Sequence, residues 1–178
     1  MRSCFRYLNL IIALFFLSQC SPTKGPANPE RPNILFIFPD QFRVQALGFM
    51  HEDPVMTPNL DKLAGEGRVF VNAVSNRPLC SPYRAMLMTG KYPFSNGVWT
   101  NCNTSSRKYS NYLREDEVCI SDVLAGHGYD CGYIGKWHLD APKGPDVDDW
   151  RVATWEAYTP LDRRHGFTFW HAYGCNNE

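Results

Sequence analysis

The sequence predicts an α/β fold: a largely parallel sheet flanked by helices. Two features of its patterning predict it. One is a continuous apolar run, Asn33-Ile34-Leu35-Phe36-Ile37-Phe38, bounded by Pro32 and Pro39, the pattern of a strand covered on both faces. The other is the succession of strand-like and helix-like segments, since strand–helix–strand order favours parallel pairing. After the first run, Thr57 caps a helix with Pro58 at its first position, Leu60, Leu63 and Ala64 as its apolar stripe, and Gly67 as its stop. Val69-Phe70-Val71 follows as a strand. Pro82 to Gly90 reads as a helix with Ala85, Met86, Leu87 and Met88 buried. Ile120, Val123, Leu124 and His127 fall at i, i+3, i+4 and i+7, with Gly128 as the C-cap. Tyr129 to Gly135 is then a strand, and Phe167-Thr168-Phe169-Trp170 a further one.

The chain has 178 residues, 44% of them apolar, with 18 basic residues balanced by 18 acidic ones. That composition describes one globular domain and excludes disorder, coiled coil and collagen-like repeats. The balanced charge gives no footprint for nucleic acid or an anionic membrane surface. Residues 1–19 read as a signal peptide: Arg2 and Arg6 precede the apolar run from Leu10 to Leu17, which is too short to span a bilayer. Leu17-Ser18-Gln19-Cys20 resembles a bacterial lipobox, with Cys20 as the lipidated residue, although Gln19 replaces the usual small residue. Residues 20–32 then form a linker, with four prolines and one glycine between Ser21 and Pro32. The expected location is the periplasm or cell surface, with a lipid anchor as the only membrane contact. Beyond Cys4 and Cys20, the cysteines Cys80, Cys102, Cys119, Cys131 and Cys175 match no zinc spacing, and their odd number leaves at least one unpaired. Cys131 lies in an apolar run and reads as a small core residue.

In parallel α/β sheets, ligands bind beyond the carboxyl ends of the strands. That places Asp40-Gln41, after the first strand, near Lys136-Trp137-His138, after the later one. Cys80 and Ser81 open the helix at Pro82, where free backbone N–H groups favour an anion. With Arg84, these groups suit a hard cation facing a tetrahedral oxyanion. His51, Asp53 and Asp61 read as loop and helix packing, and Asp146, Asp148 and Asp149 as a solvated loop.

The same residues carry a resemblance. Cys80-Ser81-Pro82-Tyr83-Arg84, continuing to Met88-Thr89-Gly90-Lys91, resembles the sulfatase signature, and Gly135-Lys136-Trp137-His138-Leu139 resembles the second one. The segments Thr57–Leu63, Gly67–Ala73 and Arg163–Phe167 are similar to others in that family, in family order. The resemblance covers residues 33–178, as the N-terminal part of a sulfatase catalytic domain with an alkaline phosphatase-like fold. It implies that a formylglycine-generating enzyme reads Cys80, Ser81, Pro82, Tyr83 and Arg84 before export and converts Cys80 to formylglycine. One hydroxyl of the aldehyde hydrate would attack sulfur and expel the alcohol, and the other would collapse the sulfated intermediate. Arg84 would hold the hydrate, Lys136 would bind the sulfate and polarise the leaving oxygen, and His138 would bond the hydrate or act as base. One calcium ion would be held by Asp40, Gln41 and the hydrate oxygen that replaces the Cys80 sulfur.

Gln41 stands where the family usually has a second acid, which removes one negative charge from the metal site. Sulfatases are substantially longer chains, so this sequence reads as an incomplete N-terminal portion, inactive or nearly so by itself. The substrate class implied is a sulfated small molecule or glycan, a carbohydrate on the strength of the export signal. Two alternatives stand beside it: a phosphoester or phosphonate hydrolase of the same superfamily, and a non-catalytic glycan-binding surface lipoprotein.

Overall fold

A computed structural model describes residues 31–144 and 156–174. The expected signal peptide, the lipid site at Cys20, most of the linker, Asp146, Asp148, Asp149 and Cys175 lie outside the described residues. The chain divides into two units, one ending at Pro39 and the other running from Asp40.

In the first unit, the apolar run 33–38 forms no ladder among the described residues, and Ile34, Leu35, Phe36 and Ile37 are 60–84% exposed. This corrects the expected strand. A run that is apolar on both faces encodes burial between two partners but supplies neither of them. The same correction applies to Val69-Phe70-Val71, which passes into a turn with all three side chains exposed.

The second unit holds four α-helices and two strands among its described residues: α1 (Pro58–Glu66), α2 (Cys80–Thr89), α3 (Pro93–Asn96), α4 (Ile120–Gly126), β1 (Cys131–Lys136) and β2 (Phe167–Tyr173). The strands pair in parallel, as expected, from Cys131 opposite Phe167 to Lys136 opposite Tyr173, with a bulge between Cys131 and Gly132. Trp137 extends the ladder by donating its N–H to the Tyr173 carbonyl at 2.8 Å. Helix α2 starts two residues earlier than its sequence suggests, because Pro82 fits inside a first turn whose N–H groups need no helical partner. Gly90 ends it, its N–H bonding the Met86 carbonyl at 2.8 Å. Ala85 and Met88 join Val98, Cys102, Leu113, Cys119, Trp137 and Leu139 in the core, while Tyr133, Phe167 and Trp170 pack against it from the sheet. The core therefore lies where α2 meets β1 and the chain after it.

Two helices depart from their expected faces. Thr57 precedes Pro58 without capping the helix through its side chain: its hydroxyl accepts the Gly48 N–H at 2.7 Å and donates to Asp61 at 2.7 Å. Asp61 also accepts the Phe49 N–H, and Asp53 pairs with Arg43, which places both acids in loop packing. Leu60 and Leu63 of α1, and Ile120 and Val123 of α4, are exposed, while Ser121 is buried. The helical period was legible, but the face turned inward in α4 is chosen by contacts at its ends. There the Cys119 N–H donates to Asp122 at 2.8 Å, and His165 lies 3.6 Å from the same carboxylate. Cys119, Asp122 and His165 thus cluster at the helix start, where burial, with Asp122 and Glu117 adding, pushes the Cys119 thiol up to about 12.

Gly166 lets β2 begin beside that cluster. Its φ is 78°, and a Cβ there would meet the Ser121 carbonyl at 2.9 Å and the Asp122 Cα at 3.0 Å. Gly166→Ala is expected to lower unfolding free energy by roughly 2 kcal/mol, because both the backbone strain and the contact oppose it. Urea denaturation of the two forms measures this, and equal midpoints would refute it.

Candidate active site

Cys80 is the first residue of α2 and is half-buried. Arg84 follows one turn later on the same helical face, its side chain only 6% exposed. Lys136 ends β1 with its side chain 9% exposed, and its Nζ lies 3.4 Å from the Cys80 Sγ and 3.0 Å from Asp40 Oδ2. Arg84 donates Nη2 to Asp40 Oδ1 at 3.1 Å, and Nη1 to the Lys136 carbonyl at 2.5 Å and to the Tyr133 hydroxyl at 3.3 Å. One carboxylate therefore bridges two cations, and one of them, Lys136, lies beside the Cys80 sulfur. Burial works against the charge on Asp40, but its bonds to Lys136 and Arg84 outweigh burial and hold its carboxyl below the ordinary value.

Ser81 ties the helix start to the rest of the site. Its N–H donates to Asn101 Oδ1 at 3.1 Å, while its hydroxyl donates to the His138 carbonyl at 2.6 Å and accepts the Cys102 N–H at 3.0 Å. His138 Nε2 lies 3.0 Å from the Cys102 carbonyl, which assigns the ring proton to Nε2. Gln41 and His138 both have left-handed backbones, with φ of 54° and 53°. Each is a non-glycine residue held against an intrinsic penalty of about 1–2 kcal/mol, and each flanks a residue of the ionic cluster or belongs to the loop beside it.

The sequence-predicted residues Asp40, Cys80, Arg84 and Lys136 thus form one bonded cluster. His138 reaches it through Ser81 and Cys102, Pro82 is buried, Tyr83 is half-buried, and Gln41 is exposed next to Asp40. Asn101 and Tyr133 were missed by sequence reasoning. A Tyr on the sheet strand that leads into Lys136 was the available signal for the second; nothing local marks the first.

Residues 32–175 match the sulfatase family model. The chain belongs to the sulfatase family. It is 45% identical to an endo-4-O-sulfatase of Bacteroides thetaiotaomicron, over 94% of this chain and 36% of that protein. It is 38% identical to a ulvan-active sulfatase of Formosa agariphila, over 97% of this chain and 31% of that one. The chain therefore spans about a third of the length of these curated relatives. A solved sulfatase from Bacteroides thetaiotaomicron, described in connection with the metabolism of multiple glycosaminoglycans, superposes with a TM-score of 0.76 at 44% identity, covering 84% of this chain and 34% of that one. These neighbours establish the α/β, alkaline phosphatase-like fold. Sulfatases in general depend on formylglycine and calcium. Asp40 and Gln41 offer a carboxylate and an amide oxygen, hard donors that fit part of the roughly six to eight oxygens calcium takes.

Burial, joined by Lys136 and Arg84, lowers His138 to about 4, against the Cys102 carbonyl and Glu156, which favour the charged ring. The unfolded imidazole takes up its proton near 6.5 while the folded one resists until about 4, so this group's contribution to stability is lost as pH falls through that window. Between pH 7 and 4 the protein is expected to lose about 3 kcal/mol more than His138→Gln does. Urea titrations of both forms across that range decide it, and parallel losses would sink the assignment.

Proposed function

We propose that this sulfatase hydrolyses a sulfate ester of a carbohydrate, with the side chain at position 80 as nucleophile after oxidation of Cys80 to formylglycine. The observation that carries this reading is the approach of Lys136 to the Cys80 sulfur at 3.4 Å, with buried Arg84 in the same bonded cluster. Here that sulfur stands in for the hydrate oxygen that the mature site would carry. Formylglycine supplies a geminal diol, so that sulfate can leave by reforming the aldehyde. Lys136 binds a sulfate oxygen and offsets charge on the leaving ester oxygen. Arg84 is fixed by three acceptors, so its guanidinium meets negative charge on the nucleophile with no reorganisation. His138, neutral at pH 7 with its ring proton on Nε2, has Nδ1 as the nitrogen that would accept a hydrogen bond from the hydrate. Calcium, held by Asp40, Gln41 and the position-80 oxygen with donors beyond these, would add positive charge at the same oxyanion.

The carbohydrate class is supported by the names of the relatives, which act on ulvan or carry out 4-O-desulfation. The export signal and lipid site at Cys20 suit a cell-envelope enzyme facing external glycans. Two basic groups and a helix start also accept a phosphate or phosphonate ester, so a sulfate/phosphate comparison is part of the test.

In the full-length protein produced with its maturation enzyme, the Cys80 peptide is expected to lose the mass of the thiol in favour of the aldehyde. Cys80→Ala and Lys136→Ala should each lower sulfate-ester turnover by at least about a hundredfold. An unmodified thiol with no turnover would leave a glycan-binding protein instead. Preference for phosphate over sulfate esters would move the protein to the phosphohydrolase reading.

A further inference from the structure

Tyr133 lies three residues before Lys136 and belongs to neither signature. Its ring is gripped on several sides: it stacks on Trp170 with centroids 5.1 Å apart, and meets Trp137 and Phe167 edge-on at 5.1 and 5.2 Å. That aromatic packing fixes where the hydroxyl sits. The hydroxyl donates to the Lys136 carbonyl and accepts from Arg84 Nη1 at 3.3 Å, while Arg84 Nη1 bonds the same carbonyl at 2.5 Å. Three groups thus close a triangle that includes the backbone of one site cation and the guanidinium of the other.

The local backbone makes this possible. In a regular strand, residues three apart point to opposite faces. Gly135, between Tyr133 and Lys136, has φ 111°, a conformation open to glycine and costly for other residues. The backbone departs there from regular extended geometry while the ladder continues, and the Lys136 carbonyl lies within hydrogen-bond reach of the Tyr133 hydroxyl. Ile134, by contrast, is exposed.

Resting on the roles given above to Arg84 and Lys136, we propose that Tyr133 is a positioning residue of the desulfation site, its hydroxyl setting the guanidinium plane of Arg84 and the peptide that carries Lys136. It does not touch the nucleophile. Burial raises its ionisation above the ordinary phenol value, so it keeps the proton that it donates. A guanidinium that loses this acceptor retains Asp40 and the Lys136 carbonyl, so the group shifts rather than leaves. The effect belongs to the transition state, where alignment matters most, and not to ground-state binding.

Tyr133→Phe keeps the ring and removes only the oxygen. In the full-length protein, with turnover normalised to formylglycine content by mass spectrometry, kcat on a sulfate ester is expected to fall about tenfold while KM stays within about twofold. The thermal midpoint should remain close to that of the parent. A purely packing role predicts the opposite: Phe would be silent and only Tyr133→Ala would damage the protein. The crystal structure of Tyr133→Phe supplies a readout independent of turnover, in which the Arg84 guanidinium plane should be rotated from its place in the parent while Asp40 and the Lys136 carbonyl still accept from it. Unchanged kcat, or an unmoved guanidinium, overturns the proposal. If the parent itself does not cleave sulfate esters, the functional reading fails separately, and the position of Arg84 alone then decides for or against Tyr133.

Discussion

The site is organised around a carboxylate between two cations. Arg84 arrives from a helix and Lys136 from the end of a strand, both nearly sealed from water, where their mutual repulsion is weakly screened. Asp40 answers both at once, one oxygen to each, and the Lys136 carbonyl takes a further share of the guanidinium's charge. Removing that anion would take from two desolvated cations a partner they share, a costly change in a protein interior. Lys136 also reaches the Cys80 sulfur, so a cation faces the position at which an anionic group would arrive.

Helix α2 converts local sequence into this arrangement. The spacing of Cys80 and Arg84 places them on one face, and Pro82 sits where a missing N–H does no harm. Ser81, between them, uses its N–H and its hydroxyl to fasten the helix start to two distant loops. The residue next to the nucleophile thus anchors it.

What was legible in the sequence was of this local kind. The offsets within Cys80–Arg84 and Lys136–His138 encode chemistry at short range, and β1 and β2, which pair in parallel, both lie in runs whose composition reads as strand. The departures share one cause. Residues 33–38 and 69–71 have strand composition, but a ladder needs neighbours that composition does not name. The outward stripe of α4 shows the same limit, since its orientation is settled by Asp122, His165 and the close approach of Gly166. Asn101 and Tyr133 escaped notice because each acts through contacts that exist only once the chain has folded.

Cys102 sits at the hub of the loop linkages, yet it contributes there through its main chain: its N–H goes to Ser81 and its carbonyl to His138. The thiol points elsewhere, to the Asn111 carbonyl at 3.3 Å. Architecture drawn from peptide groups is blind to side-chain identity. Drift at this position is therefore filtered by volume and polarity of the interior it fills, and the catalytic neighbourhood keeps its bracing whichever small residue occupies the spot.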